Sequence, residues 1–537
     1  MNKLYYGDCL TILRDKIPSQ SVDLIYLDPP FNSNREYNNI YKDETGRPLP
    51  DQVEAFNDTW TLDEERMRFI REMPVLLRSQ GVDDQIAEFW RLWMNALIGT
   101  NPKLLAYLSY MVERLLYLRS VLKPTGTIYL HCDPTASHYL KIFMDGIFGH
   151  KNFRNELVWE RIKGHKGNQH DKRNFGKSSD TIFFYSKTDK YFFDANVVAL
   201  PYEDLQKEYP HTDKFGRYKQ RDPFRSPGAG ARPNLCYEYK GVSPPSPAGW
   251  RIKKERLEQE DQDGLIDWIK GKPYRKQRPG AGVIPNNIWF NLRLTDEEKM
   301  DYKTQKPVSL LERIIASSCP KNGLVLDPFC GCGTTMEAAA RLERQWIGID
   351  IAIHAVKRVA SKRLKDRLRL KEDVDFEIDG VPKTVEGAQD LWNRDKYHFQ
   401  KWAVEQVDGF VTTKRTADGG IDGRIYFNVQ GEEELGSMII EVKGGQSVNI
   451  NVLRELKGVL DVDNAVMAGL VVLHPLGKTK QTNFNRFIAE VGDVRLNEQI
   501  FSKLQILTVE QILNGERFKT PWVVGKSGER PLSLENV

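Results

Sequence analysis

"GLVLDPFCGCGTTMEAAARL", residues 323–342, decides the fold. Leu324 to Leu326 is a short apolar run that reads as a strand, and Asp327 stands where it ends. Gly331 and Gly333 then fall in the turn before a helical pattern that opens at Thr334. Glycine lets the backbone approach a ligand closely, and a helix N-terminus offers unpaired N–H groups. "RQWIGIDI", 344–351, is the next strand, and Asp350 at its end lies 19 residues after Gly331. Doubly wound folds place an acid there to hold ribose hydroxyls. Asp327 could face a charged, amino-acid-like end of the same ligand. The third glycine of a dinucleotide fingerprint is absent, since position 336 is Met.

The same alternation continues outward. "KLYYGD", "CLTILRDK" and "VDLIYLD" near the N-terminus read strand, helix, strand. Residues 50–122 are mainly helical by periodicity, and "PTG" breaks them into the strand "TIYLHCD". "NELVWE" and "TIFFY" are further strands, and "PVSLLERIIASSC" is a helix. Strands alternating with helices imply an α/β fold with a parallel, doubly wound sheet. A charged helix to about 370 closes it. Residues 371–390 read as a linker, and a second domain starts at "LWNRDKYHFQKWAVEQV", giving 1–370 and 391–537.

In the run "LIYLDPPFNSN", 24–34, Asp28 ends an apolar strand and two prolines follow at once. Pro29 and Pro30 fix φ and remove two donors, so the strand stops in a rigid turn. That turn presents a carboxylate, a proline carbonyl and the ring of Phe31, a holder for something flat that carries an amino group.

With 537 residues the chain is too long for one ordinary core, and 40% hydrophobic with 28% charged residues is a globular composition. No apolar run reaches membrane-spanning length and no signal-peptide pattern opens the chain, so a cytoplasmic protein is expected. Cys330 and Cys332 lack a second ligand pair for zinc. The net charge of +4 hides an asymmetry: residues 161–280 hold 25 Lys and Arg against 16 Asp and Glu. A basic middle, rich in Pro, Gly and Arg from about 190 to 285, suits a loop-rich insertion that meets a polyanion. Arg221, Arg225, Arg232 and Arg251 are its candidate guanine or phosphate contacts.

"DPPF" and "DPFCGCGTT" together resemble the catalytic and cofactor motifs of amino-directed DNA methyltransferases that use S-adenosylmethionine. The catalytic motif comes first and a basic segment separates the two, as in the circularly permuted β class of that family. The resemblance covers roughly residues 1–365 and implies a Rossmann-like methyltransferase sheet with the insertion as target-recognition region. It implies cofactor contacts at Asp8 of "YYGD", Lys306 and Pro307 of "YKTQKP", and Asp327, Pro328, Phe329, Gly331, Gly333, Thr334 and Asp350. It gives methyl transfer to Asp28, Pro29, Pro30 and Phe31. Relatives acting on cytosine more often carry Ser where Asp28 stands, which favours adenine-N6 over cytosine-N4. Double-stranded DNA is the implied partner, with a second copy of the chain as a candidate.

"GGIDGRIYFNVQGEEELGSMIIEVKGG", 419–445, reads as a β-hairpin of strands 423–429 and 438–443. A turn centred near 433 sets Asp422 opposite about Gly444, with Glu441 and Lys443 at the same end of the hairpin. Asp422 and Glu441 could bind Mg²⁺ while Lys443 assists a water. This pattern resembles the D…(D/E)-x-K core of Mrr-like, restriction-endonuclease-fold nucleases over about 391–515. Where those often carry Glu after the Phe of the first helix, this chain has Gln400. The alternatives are a degenerate nuclease that only binds DNA, leaving methyl transfer as the one activity, and an ordinary solvated strand edge.

Overall fold

The structure is a computed structural model. It describes residues 2–30, 60, 62–132, 134–162, 178–201, 204–280, 282–300, 304–412, 420–430, 435–445 and 448–521. Its main sheet contains β1 (Asn2–Tyr6), β2 (Val22–Leu27), β3 (Leu122–Cys132), β4 (Phe153–Glu160) and β5 (Ser179–Ser186). It continues with β6 (Ile288–Trp289), β7 (Leu324–Asp327), β8 (Gln345–Asp350) and β9 (Phe376–Asp379). The order across the sheet is β6-β4-β5-β3-β2-β7-β8-β1-β9.

Apolar side chains alternate between the two faces, as the pleat demands. Leu4, Tyr6, Leu24, Tyr26 and Val325 share one core cluster with Leu310, Leu311, Ile314 and Met336. Tyr5, Ile25, Leu27 and Leu326 share the other with Leu104, Leu108, Met111 and Leu115. Helices therefore cover both faces, which is why these strands read as almost uninterrupted apolar runs.

Two sequence expectations need correction here. The sheet is not wholly parallel, because β5 runs antiparallel to both β3 and β4. Asp180 at its start thereby comes to lie beside His131 near the end of β3. Residues 371–390 are not a free linker either. β9 pairs with β1, Asn2 against Phe376 and Tyr5 against Asp379, and buries Phe376 and Ile378. Thr384 then caps a helix over Val385–Arg394 by accepting from the Gly387 N–H. A four-residue strand with only two inward side chains is too short to stand out from a charged stretch.

Asp194–Asn286 is a compact unit of its own. It was expected to be loop-rich, yet it contains a four-stranded antiparallel sheet of His211–Asp213, Gly216–Arg221, Lys272–Gln277 and Ile266–Ile269. Trp250, Leu257 and Ile266 form its small core. Glu260 clasps Arg275 at 2.7 Å and Asp213 clasps Arg278 at 2.8 Å. Short polar strands of this kind leave little periodicity to read. Arg221, Arg232 and Arg251 are exposed, while Arg225 is half-buried and donates to the Ala229 carbonyl at 2.8 Å.

The C-terminal segment carries a second sheet, ordered β10 (Phe410–Val411), β11 (Gly423–Phe427), β12 (Gly436–Lys443), β13 (Met467–Val472) and β14 (Leu504–Thr508). It packs into the first: Phe399 and Trp402 of helix Lys396–Gln406 join Leu4, Tyr6, Ile440 and Val442 in one cluster. The His398 ring meets Tyr6 edge-on, 4.7 Å between centroids. Among the described residues, no helix is long and apolar enough to cross a membrane.

Candidate active site

Four aspartates stand at or just beyond the carboxyl ends of adjacent parallel strands: Asp28 after β2, Asp327 on β7, Asp350 on β8 and Asp8 beyond β1. From β2 the chain continues to β3 on one side, and from β7 to β8 on the other. The gap between β2 and β7 is therefore the topological switch point, where open α/β sheets bind ligands. A pocket opens there. It is lined by Asp8, Asp28, Pro29, Pro30, Lys306, Asp327, Pro328, Phe329, Gly331, Thr334 and Asp350, together with Tyr26 and Tyr110.

Each acid is held by its own neighbours. Asp350 accepts from the Gly331 N–H at 2.8 Å and from the Ala352 N–H at 2.9 Å, so one carboxylate fixes the Gly-rich turn. Loss of solvent raises it to about 6, against those hydrogen bonds. Asp327 accepts from the Phe329 N–H at 3.0 Å and from the Thr335 hydroxyl at 2.5 Å. Burial lifts it to about 7, the two hydrogen bonds oppose the rise, and the charges of Asp28 and Asp350 add to it.

Asp8 caps helix Cys9–Asp15 through the Leu10 N–H at 2.9 Å and pairs with Arg114 at 2.6 Å. The Arg114 guanidinium lies 3.4 Å from the centre of the Tyr110 ring. Asp28 pairs with Lys306 through Oδ2, and its buried Oδ1 has no hydrogen-bond partner among the described residues. A buried acceptor without a donor costs free energy, and in an active site it marks where a donor is to come.

Asp327 carries a testable consequence. An acid whose value in the fold exceeds its unfolded value binds its proton more readily when folded, so stability falls as pH rises from about 4 to about 7. Asp327→Asn should stabilise the ligand-free protein by on the order of 2 kcal/mol at about pH 8, with the gain vanishing near pH 4. Thermal melting at both pH values measures it, and equal effects at both would refute the assignment.

Not every residue expected at the site lines the pocket. Pro307 is buried at the N-cap position of helix Val308–Ser318, with no side-chain capping hydrogen bond. Gly333 sits at φ +79°, where a Cβ would come within 2.9 Å of the Ala360 Cβ, so it shapes the turn by close packing. Lys306 does line the pocket, and there it reaches Asp28. Phe31 lies outside the described residues. Tyr26, Arg114, His131 and Asp180 were missed. The signal available for His131 was a lone imidazole in an otherwise apolar strand, "TIYLHC".

In the C-terminal sheet the hairpin register differs from expectation by three residues. Gly423 pairs with Ile440 and Phe427 with Gly436, and the Asp422 N–H donates to the Ile440 carbonyl at 2.8 Å. Asp422 therefore stands by Glu441 rather than Gly444. Its Oδ2 accepts from the Val442 N–H at 2.7 Å, and Lys443 Nζ lies 2.6 Å from Glu441 Oε1. Burial pushes the Glu441 carboxyl up against the opposing pull of Lys443. Asp422 and Glu441 supply two carboxylates, and among the described residues no group of three or more His, Cys, Asp or Glu that could hold a metal is present.

A doubly wound sheet with an acid-lined pocket at its switch point defines the class. The particular family follows from sequence comparison: residues 22–362 match the N6/N4 methyltransferase family of DNA methylases, and the chain belongs to it. It is 36% identical over 265 residues to the type II methyltransferase M.EcaI of Enterobacter cloacae, covering 48% of this chain and 57% of that one. To the Mod subunit of the type III restriction-modification enzyme StyLTI of Salmonella typhimurium it is 28% identical, covering 64% of this chain and 50% of the other. To the EcoPI Mod subunit of Escherichia phage P1 it is 26% identical over 497 residues, covering 78% and 72%. The chain thus spans about half the length of the first two relatives.

Proposed function

We propose that the chain is a site-specific DNA methyltransferase that carries a methyl group from S-adenosylmethionine to adenine-N6 within a restriction-modification system. The observation that carries this reading is Asp28 Oδ1, a buried acceptor without a partner among the described residues, on the wall of a pocket that also holds Asp327 and Asp350. The donor set fits the cofactor: Asp350 for ribose hydroxyls, Gly331 for close backbone approach, Asp8 for the adenine and Asp327 toward the amino-acid end. When bound, that cofactor supplies an electrophilic methyl group.

The chain's residues do the rest. An exocyclic amine is a weak nucleophile because its lone pair is delocalised into the ring. Asp28 and the Pro29 carbonyl each accept one of its hydrogens, freeing the lone pair toward the methyl carbon by positioning and electrostatics. The base has to leave the duplex to reach this corner. The relatives, a type II methyltransferase and two type III Mod subunits, support a restriction-modification context. Mass spectrometry of DNA nucleosides after incubation with cofactor tests the reading. N6-methyladenine supports it, N4-methylcytosine moves the target to cytosine, and the absence of both products refutes it.

A second activity is favoured by one arrangement, the meeting of Asp422, Glu441 and Lys443 at one end of a hairpin. Asp422 and Glu441 would hold Mg²⁺ and Lys443 would steady an attacking water. Magnesium-dependent nicking of supercoiled plasmid is expected and should fall at least roughly a hundred-fold in Lys443→Ala. If the wild type cuts neither methylated nor unmethylated DNA, the segment serves as a DNA-binding module instead.

A further inference from the structure

Behind Asp28 lies a buried chain of polar groups that the mechanism above does not use. His131 is fully buried at the end of β3, and the parallel register Leu27 to Leu130 sets it beside Asp28. Its Nε2 is 3.1 Å from Asp180 Oδ2, and its Nδ1 is 3.0 Å from the Tyr26 hydroxyl and 3.7 Å from Asp28 Oδ1. The edge of Trp159 closes over the ring, centroids 5.7 Å apart.

Among the described residues, the polar groups facing this ring include Tyr26 and Asp28 from β2 and its end, and Asp180 from β5. Arg161 after β4 reaches Asp180 at 3.6 Å, and Lys306 sits on Asp28. Burial alone would push the Asp180 carboxyl up, yet its hydrogen bond and charge pairing with His131, aided by Arg161 and Lys306, hold it below the usual range. An ionised carboxylate only accepts, so the Nε2–H donates to Asp180 and Nδ1 faces the Tyr26 hydroxyl and Asp28.

We propose that His131, held by Asp180, is a positioning residue that takes through Asp28 the proton released by methyl transfer. The inference rests on the methyltransferase reading and deepens it. The amine nitrogen bonds to the methyl carbon as the sulfur–carbon bond breaks and its electron pair stays on sulfur. The nitrogen is then cationic and gives one hydrogen to Asp28 Oδ1. Asp28 passes it to His131 Nδ1, the Tyr26 hydroxyl turns from donor to acceptor, and Asp180 stabilises the imidazolium. When the product base withdraws, the proton returns through Asp28 to water. With no exposed edge, His131 exchanges protons through buried partners, which is the geometry a relay needs.

The test is single-turnover methyl transfer across about pH 6–9 for wild type, His131→Gln, Asp180→Asn and Tyr26→Phe. His131→Gln should be roughly a hundred-fold slower near neutral pH, with its rate rising as pH rises, and Asp180→Asn roughly ten-fold slower with a milder slope. Cofactor affinity and melting temperature should stay near wild type in Asp180→Asn. A folded variant matching the wild-type rate overturns the inference, and so does one slowed by the same factor at every pH. If His131→Gln does not fold, the two milder variants decide. A wild type that methylates no DNA refutes the methyltransferase reading itself, and the relay falls with it.

Discussion

Asp28→Asn is expected to slow methyl transfer by roughly a thousand-fold, about 4 kcal/mol of transition-state stabilisation, while cofactor affinity changes less than about three-fold. Asparagine keeps the size of the side chain, so Pro29, Pro30 and the pocket wall need not move. What changes is polarity at Oδ1, the atom without a donor among the described residues. An amide either turns its NH₂ group toward the incoming amine, setting donor against donor, or turns it toward Lys306, setting donor against cation. Both orientations also lose the negative charge that stabilises the cationic nitrogen. Quenched-flow assays on a cognate duplex measure the rate, and calorimetric titration the affinity. A variant that methylates at the wild-type rate would remove Asp28 from the chemistry.

Asp350→Asn should weaken cofactor binding by roughly a hundred-fold. The carboxylate already holds two backbone N–H groups, of Gly331 and Ala352, before any ribose arrives. An amide has one oxygen for two buried donors, so one goes unpaired and the turn loosens. The sign of the pH dependence follows from the raised value near 6. In the proposed contact the ionised form accepts from ribose hydroxyls, so wild-type affinity should be complete well above 6 and decline as pH falls through it. In the variant, the part of the pH dependence that belongs to this group should vanish. Titration at several pH values decides, and wild-type affinity in the variant would exclude the proposed ribose contact.

What was legible in the sequence had local causes. Asp327 and Asp350 could be placed because a strand end and a following turn fix where a side chain stands over a few residues. Asp28 was legible because two prolines leave the chain almost no conformational choice. His131 and Asp180 were not, because their meeting depends on the register of β3 beside β2 and on the reversal of β5. No short window records either. The hairpin at Asp422 failed by a milder version of the same problem: its strands were recognisable, but their register depends on the residue at which the turn is centred. β9 was lost because Phe376 and Ile378 alone gave too weak an alternation.

The shared packing around Tyr6 and His398 has a practical consequence for dissecting the molecule. Phe399 and Trp402 are fully buried in the same cluster as Leu4 and Phe376. A truncation ending near residue 370 strips an edge strand and two large indole and phenyl anchors from the sheet. Its insolubility would then say nothing about chemistry. Fragments meant to isolate the first sheet should end beyond residue 406, after the helix that supplies both anchors.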